Sequence, residues 1–130
     1  MNDQTRKELA AAGLTIRREV LGNEYVDKAM NSATEFNMPL HELVNEFCWG
    51  AIWGRDGLNR KERSMITLAM ATALGRTNEV ETHVRGALNN GLTEKQISEV
   101  LLQTAIYCGV PAAVDSFRAA AKVLAEAHAG

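Results

Sequence analysis

The sequence has few residues that interrupt helices and no excess of charge of one sign. Only two prolines occur among 130 residues, Ala and Leu are abundant, and β-branched residues do not gather in runs, which together favours helix over strand. The formal net charge is −2, which argues against a nucleic-acid binder that works through a broad basic surface. No strand pattern, low-complexity segment or linker is present.

Long apolar runs and cysteine pairs are also missing. No apolar stretch approaches the roughly 20 residues that cross a bilayer, and residues 1–6 are polar, without the apolar core of a secretory signal. Cys48 and Cys108 are the only cysteines, and their separation is far from a Cys-x-x-Cys spacing. These absences indicate a cytoplasmic protein with two reduced thiols and no membrane partner.

What the sequence does contain is a series of amphipathic segments separated by glycine and asparagine. Asn59 with Glu62, and Thr93 with Gln96, have the spacing of capping boxes at helix starts. The predicted helices cover about 3–21 (in two pieces if Gly13 breaks it), 24–35, 39–47, 60–74, 78–88, 94–105 and 111–124. We therefore expect an all-α fold, a bundle of six or seven helices forming a single domain over residues 1–130.

Glu79 and His83 are the strongest candidates for chemistry. They are one helical turn apart and therefore share a face, and His83 lies on the apolar stripe of its helix. A lone histidine on such a stripe is about as often a core residue as a functional one. A neighbouring carboxylate can orient and charge an imidazole for proton transfer, although Glu79 could equally be an acid favoured at a helix start.

Residues 47–57 form a second candidate cluster, with three glycines and both tryptophans of the chain. Trp49 and Trp53 are four residues apart, so they stack on one face if this stretch is helical. A core aromatic pair is the simpler interpretation. The nearby glycines and Arg55 favour the wall of a pocket.

The third candidate cluster consists of three arginines, Arg60, Arg63 and Arg76, with Tyr107 and Cys108 later in the chain. Arg63 leads directly into an apolar helix, where a guanidinium is expected to hold a carboxylate or cap another helix.

No histidine is paired with another His or Cys at metal-binding spacing, so no metal site is predicted. A phosphate-binding glycine loop and a G-x-S-x-G elbow are also missing.

Several sequence blocks resemble the carboxymuconolactone decarboxylase family. The matching blocks are residues 18–22 (REVLG), 25–26 (YV), 49–58 (WGAIWGRDGL), 63–64 (RS), 79–91 (EVETHVRGALNNG) and 107–113 (YCGVPAA). They cover nearly the whole chain in order and without large gaps. Together they are much more specific than any one block.

This resemblance implies a fold, an assembly and a reaction. We expect an alkylhydroperoxidase-D-like fold that forms homo-oligomers, either trimers or hexamers. The implied reaction is the decarboxylation of a small-molecule lactone, 4-carboxymuconolactone, to 3-oxoadipate enol-lactone in protocatechuate degradation. No cofactor is needed, because the substrate contains its own electron sink.

Roles for individual residues follow from the resemblance together with their chemistry. His83 delivers a proton, with Glu79 as its orienting partner or as the donor itself. The expected substrate-binding residues are the arginines that would grip a carboxymethyl group, the aromatics that would surround the departing carboxylate, and a tyrosine from the last matching block: Arg63, Arg55, Arg85, Trp49, Trp53 and Tyr107.

Two other classes of function stay open. Redox members of the wider superfamily carry Cys-x-x-Cys with a histidine four residues after the second cysteine, but here Arg76 and Glu79 occupy those cysteine positions relative to His83. A thiol-dependent peroxidase would have to use Cys48 and Cys108 instead. A non-catalytic binding module, or a family member acting on another small lactone or acid, are the remaining alternatives.

Overall fold

Capping residues and glycines set the ends of most helices. The computed structural model describes all residues, 1–130, and contains seven α-helices and one π-helical segment with no strand. The helices are α1 Asp3–Leu21, α2 Asn23–Asn31, α3 Met38–Leu43, continued by the π-helical segment Val44–Ile52, then α4 Arg60–Ala73, α5 Thr77–Asn89, α6 Glu94–Tyr107 and α7 Val110–Ala129. The prediction of an all-α fold with six or seven helices is confirmed.

The chain divides into two compact units, Met1–Leu58 and Asn59–Gly130. The first unit contains α1 to α3 and the π-helical segment, and the second contains α4 to α7. A single domain over residues 1–130 stays a prediction. None of the helices is long and apolar enough to span a membrane.

In the first unit, α1 is one continuous helix, so the suggested break at Gly13 is wrong. A Cβ at Gly13 would lie 1.8 Å from the backbone oxygen of Asn45 and 2.7 Å from the backbone nitrogen of Gly50. This glycine therefore allows the backbones of α1 and the π-helical segment to touch. The apolar core of this unit is formed by Val20, Leu21, Val26, Trp49 and Trp53.

The segment after α3 departs from the predicted α-helix. The amide of Trp53 donates to the carbonyl of Cys48, five residues earlier, which is the bonding pattern of a π-helix. Because such a helix has more residues per turn, apolar residues spaced by three and four no longer share one face. The spacing of Leu40, Leu43 and Phe47 predicts a common buried face, but they are 60%, 52% and 41% exposed. Only Phe47 lies in the π-helical segment; Leu40 and Leu43 lie in α3, which has no buried residue. Helix α2 also ends at Asn31, earlier than predicted.

In the second unit, both predicted capping boxes are present, at the starts of α4 and α6. Four helices pack around one core, whose fully buried members include Leu68, Val80, Val84 and Leu101. Helix α4 is apolar nearly all round, which predicts a centrally buried helix, but Met70 is 60% exposed. That prediction took account of apolar character and not of which neighbours cover the helix.

Helix α7 buries a face one position away from the predicted one. Ala113, Ser116, Ala120 and Val123 are buried, whereas the apolar spacing of three and four predicts a buried face through Val114, Phe117, Ala121 and Leu124. Small side chains on the buried face allow α7 to approach its neighbours closely. The larger Phe117 therefore lies beside that face and is only partly buried.

Asn78 has a side chain typical of a helix N-cap, but α5 does not begin there. The helix starts at Thr77, and Arg76 occupies the N-cap position without a side-chain hydrogen bond. Gly75, with φ of 70°, ends the preceding helical turn, and the amide of Arg76 then donates to the carbonyl of Ala71 at 2.9 Å. This short reversal places Glu79 in the first turn of α5.

Candidate functional site

Helix α5 brings Glu79 and His83 together. Nε2 of His83 lies 3.8 Å from Oε2 of Glu79. The imidazole belongs to the core side of α5, where His83 is 8% exposed between the fully buried Val80 and Val84. The Glu79 side chain, in contrast, is 62% exposed. The pair thus joins a buried imidazole to a carboxylate that solvent can reach.

Burial lowers the pKa of His83 below its ordinary value of 6.5, and the nearby negative charge of Glu79 opposes part of this shift. Burial disfavours the charged imidazolium because an ion loses hydration there, whereas a carboxylate stabilises the cation. At neutral pH the imidazole is therefore mostly neutral. An anion bound close to the ring would raise the pKa again, so this side chain can gain and release a proton near physiological pH.

The predicted substrate-binding arginines differ in their surroundings. In the second unit, Nη2 of Arg85 is 3.0 Å from Oε2 of Glu126, and both side chains are partly exposed. Arg85 is therefore held in an ion pair between α5 and α7. Arg63 is half-buried in the first turn of α4, and Arg55 is exposed near the end of the first unit. Their roles in substrate binding stay predictions.

Trp49 and Trp53 do stack, with ring centroids 4.8 Å apart and planes tilted by 34°. They are only 3% and 7% exposed, and they pack with Val20, Leu21 and Val26 in the core of the first unit. This is the position that the simpler interpretation, a core aromatic pair, requires. Contact with substrate stays a prediction for both residues.

Tyr107 is 83% exposed at the end of α6. It borders a groove of about 310 Å³ in the second unit, whose lining is mostly apolar: Met65, Ile66, Ala69, Val100, Gln103, Thr104, Tyr107 and Cys108. Cys108 and Cys48 are both exposed thiols outside any disulfide. No group of three or more His, Cys, Asp or Glu side chains is arranged to hold a metal ion.

One polar group of the first unit was missed by sequence reasoning. Arg17 is 7% exposed and donates from Nη1 to Oδ1 of Asn45 at 3.1 Å. A signal was present, because Arg17 lies four residues after Gly13 and three before Val20, on the buried face of α1. A charged residue on an apolar stripe indicates a buried charge that needs an explanation.

Comparison with known proteins places this chain in a family. A sequence model of the carboxymuconolactone decarboxylase family matches residues 39–122. The chain is 43% identical over 115 residues to nitrosuccinic acid decarboxylase of Metarhizium robertsii, which covers 88% of this chain and 80% of that protein. It is 38% identical over 112 residues to 4-carboxymuconolactone decarboxylase of Acinetobacter baylyi, covering 86% and 81%.

A third relative is an uncharacterized 15.0 kDa protein of Paracoccus denitrificans, 32% identical over 83 residues and 62% of each chain. The family match spans more than half of the chain and includes both candidate residues of α5. The two relatives of known name extend the likeness over nearly the full length. The chain belongs to the carboxymuconolactone decarboxylase family.

Proposed function

We propose that this chain decarboxylates a small organic acid without a cofactor, and that 4-carboxymuconolactone is its substrate, converted to 3-oxoadipate enol-lactone. The observation that carries the reaction class is the pairing of a buried His83 with Glu79 at 3.8 Å. Family membership and two relatives named as decarboxylases support the same class. The name of the second relative supports the substrate.

The chemistry of this lactone makes a cofactor unnecessary. Its departing carboxylate is attached γ to the lactone carbonyl, across a C=C bond. When the bond to CO2 breaks, its electron pair moves through the double bond onto the carbonyl oxygen and forms a dienolate. The lactone thus supplies the electron sink that pyridoxal or thiamine supplies in other decarboxylases. What remains for the protein is to hold the anion, stabilise the dienolate and deliver one proton.

His83 delivers that proton to the ring carbon α to the carbonyl. A carboxylate of the bound substrate raises the pKa of the imidazole, which burial alone holds below its ordinary value. The protonated ring then stabilises the dienolate and protonates its carbon, and Glu79 stabilises the imidazolium until the transfer. Arg63 would bind the carboxymethyl group, since a guanidinium fits a carboxylate with two parallel hydrogen bonds.

A second candidate substrate is nitrosuccinic acid, favoured by the 43% identity to a relative named for its decarboxylation. This acid carries a nitro group next to a carboxylate, so the electron pair released with CO2 moves onto the nitro oxygens. Proton delivery to carbon is again the remaining step. The same Glu79 and His83 pair serves both reactions, which differ in the shape and charge that the protein must bind.

The test is CO2 release from each acid. Protein that has been dialysed and treated with a chelator is mixed with enzymatically generated 4-carboxymuconolactone or with nitrosuccinic acid, and CO2 and remaining substrate are measured together. We expect one CO2 for each lactone consumed, with kcat/KM at least about 10-fold higher for the lactone than for nitrosuccinic acid. The reverse preference would replace the proposed substrate by the second candidate. No CO2 from either acid would contradict both.

A further inference from the structure

Arg17 is a buried cation whose hydrogen-bond partners include no carboxylate. Its Nη1 lies 3.1 Å from Oδ1 of Asn45, 3.5 Å from Nδ1 of His41 and 3.6 Å from Sδ of Met30. None of these acceptors carries a negative charge. A guanidinium has only donors, so Nδ1 of His41 can take part in this contact only as an acceptor.

Arg6 and Arg18, the other arginines of α1, each form an ion pair with a carboxylate. Arg6 is 3.2 Å from Oε2 of Glu46, and Arg18 is 2.5 Å from Oδ1 of Asp27. Both are far more exposed than Arg17, since their side chains are 48% and 32% exposed. The arginine that loses most hydration is therefore the one that lacks a carboxylate.

Burial lowers the pKa of the Arg17 guanidinium, while Tyr25 and Cys48 raise it. Arginine nevertheless stays charged in proteins because its ordinary pKa is so high. Burying a cation without a nearby anion is strongly unfavourable. An anion that binds Arg17 and neutralises its charge in the functional protein would explain this arrangement.

The unused donors of Arg17 are on one edge of the guanidinium. Nη1 makes every hydrogen bond of this side chain, and the buried Nε has no partner. Nε and Nη2 lie side by side, and this edge is the one that accepts a carboxylate with two parallel hydrogen bonds. Met30 and His41, which contact Nη1 on the opposite side, are half-buried, whereas Nε is buried and points to no acceptor.

We propose that Arg17 is the binding residue of a carboxylate site in the first unit, with the Nε and Nη2 edge as donor. Asn45 and His41 hold the opposite side of the guanidinium and so fix its orientation. The ligand is a small organic carboxylate or an acidic side chain of a second copy of this chain, which offer the same chemistry.

The test uses succinate as the probe and thermal unfolding with tryptophan fluorescence as the readouts. Both tryptophans lie in the first unit, so they report on this part of the chain. Wild-type protein is compared with Arg17→Gln, Arg17→Met and the matched control Arg18→Gln. Succinamide, which has no charge, serves as the control ligand.

Succinate should raise the melting temperature of the wild type and of Arg18→Gln in a concentration-dependent way. In the two Arg17 variants its affinity should fall roughly 10- to 100-fold, the usual effect of losing a charged hydrogen-bonding partner. Without succinate, the Arg17 variants should melt no lower than the wild type, because they remove a buried charge. Succinamide should have no effect on any of them.

Light scattering distinguishes the two sources of the carboxylate. If a second copy supplies it, the Arg17 variants should have a lower mass than the wild type, and succinate should lower the mass of the wild type. Equal succinate affinity in wild type and Arg17→Gln would overturn the proposal. So would Arg17 variants that melt lower than the wild type with unchanged mass and no succinate effect. Folded His83→Gln should still bind succinate, which separates this site from the proposed reaction.

Discussion

Replacing His83 by Gln separates a catalytic histidine from a core histidine. The two side chains are similar in size, and the amide of Gln can still donate toward Glu79, now 3.8 Å from the imidazole. Because the site is 8% exposed, a change of this kind that conserves volume should lower the free energy of unfolding by less than about 1.5 kcal/mol. The folded fraction should therefore stay close to that of the wild type.

Turnover should respond far more strongly. Gln cannot carry a proton, so kcat should fall by roughly 10²- to 10⁴-fold, the usual contribution of a general acid. A 10²-fold loss corresponds to about 2.7 kcal/mol of transition-state stabilisation. The assay is the initial rate of CO2 release, with a melting curve recorded for each variant.

Two variants on the same helix act as comparisons. Glu79→Gln should lower kcat and shift the pH profile, and its effect should be far from additive with that of His83→Gln, because the two side chains act as a unit. Glu81→Gln is the matched control, since Glu81 binds Lys122 at 2.9 Å and should leave kcat unchanged. Unchanged turnover in folded His83→Gln protein would remove this histidine from the mechanism.

The remaining predictions concern stability, thiols and assembly. Gly13→Ala should destabilise the protein by about 1–3 kcal/mol in chemical denaturation, because the new Cβ would lie 1.8 Å from a backbone oxygen; Gly57→Ala, where nothing lies within 4 Å, is the control, and equal effects would contradict the packing argument. Since the pKa of His83 is lower in the folded protein than 6.5, the unfolded chain binds more protons between these two values. The stabilising contribution of neutral His83 should therefore be complete above pH 6.5 and lost as pH falls through the folded pKa, and a stability difference between wild type and His83→Gln that does not change with pH would refute this. Replacing Cys48 and Cys108 together by Ser should leave most activity intact, and a loss of activity without unfolding would indicate thiol chemistry. Light scattering should give a mass of three or six chains of 14.2 kDa, and a monomer at micromolar concentration would contradict the expected homo-oligomer.

The sequence predicted the ends of helices correctly where a local capping motif determines the end. The two capping boxes are in the predicted places, because such a cap depends on residues only three positions apart. The prediction that Glu79 and His83 share a helix face also depends on residues only four positions apart. Family membership followed from blocks of residues in order along nearly the whole chain.

The features that the sequence did not predict depend on tertiary contacts. Gly13 looked like a helix break, because the sequence does not show that Asn45 passes within touching distance of it. The π-helical segment could not be predicted from apolar spacing, which assumes the α-helical repeat. The burial of Arg17 had a local signal, but its lack of an anionic partner becomes apparent only when Asn45 and His41 are placed beside it.

The origin of the proton tests the proposed reaction most directly. The decarboxylation of 4-carboxymuconolactone is run in D2O for a time short enough to exclude exchange, and the enol-lactone is analysed by NMR in a chiral medium. If His83 delivers the proton to one face of the bound dienolate, the carbon α to the carbonyl should carry one deuterium with a single configuration. An equal mixture of the two configurations would contradict the account, because it would mean that the dienolate is released and takes its proton from bulk water.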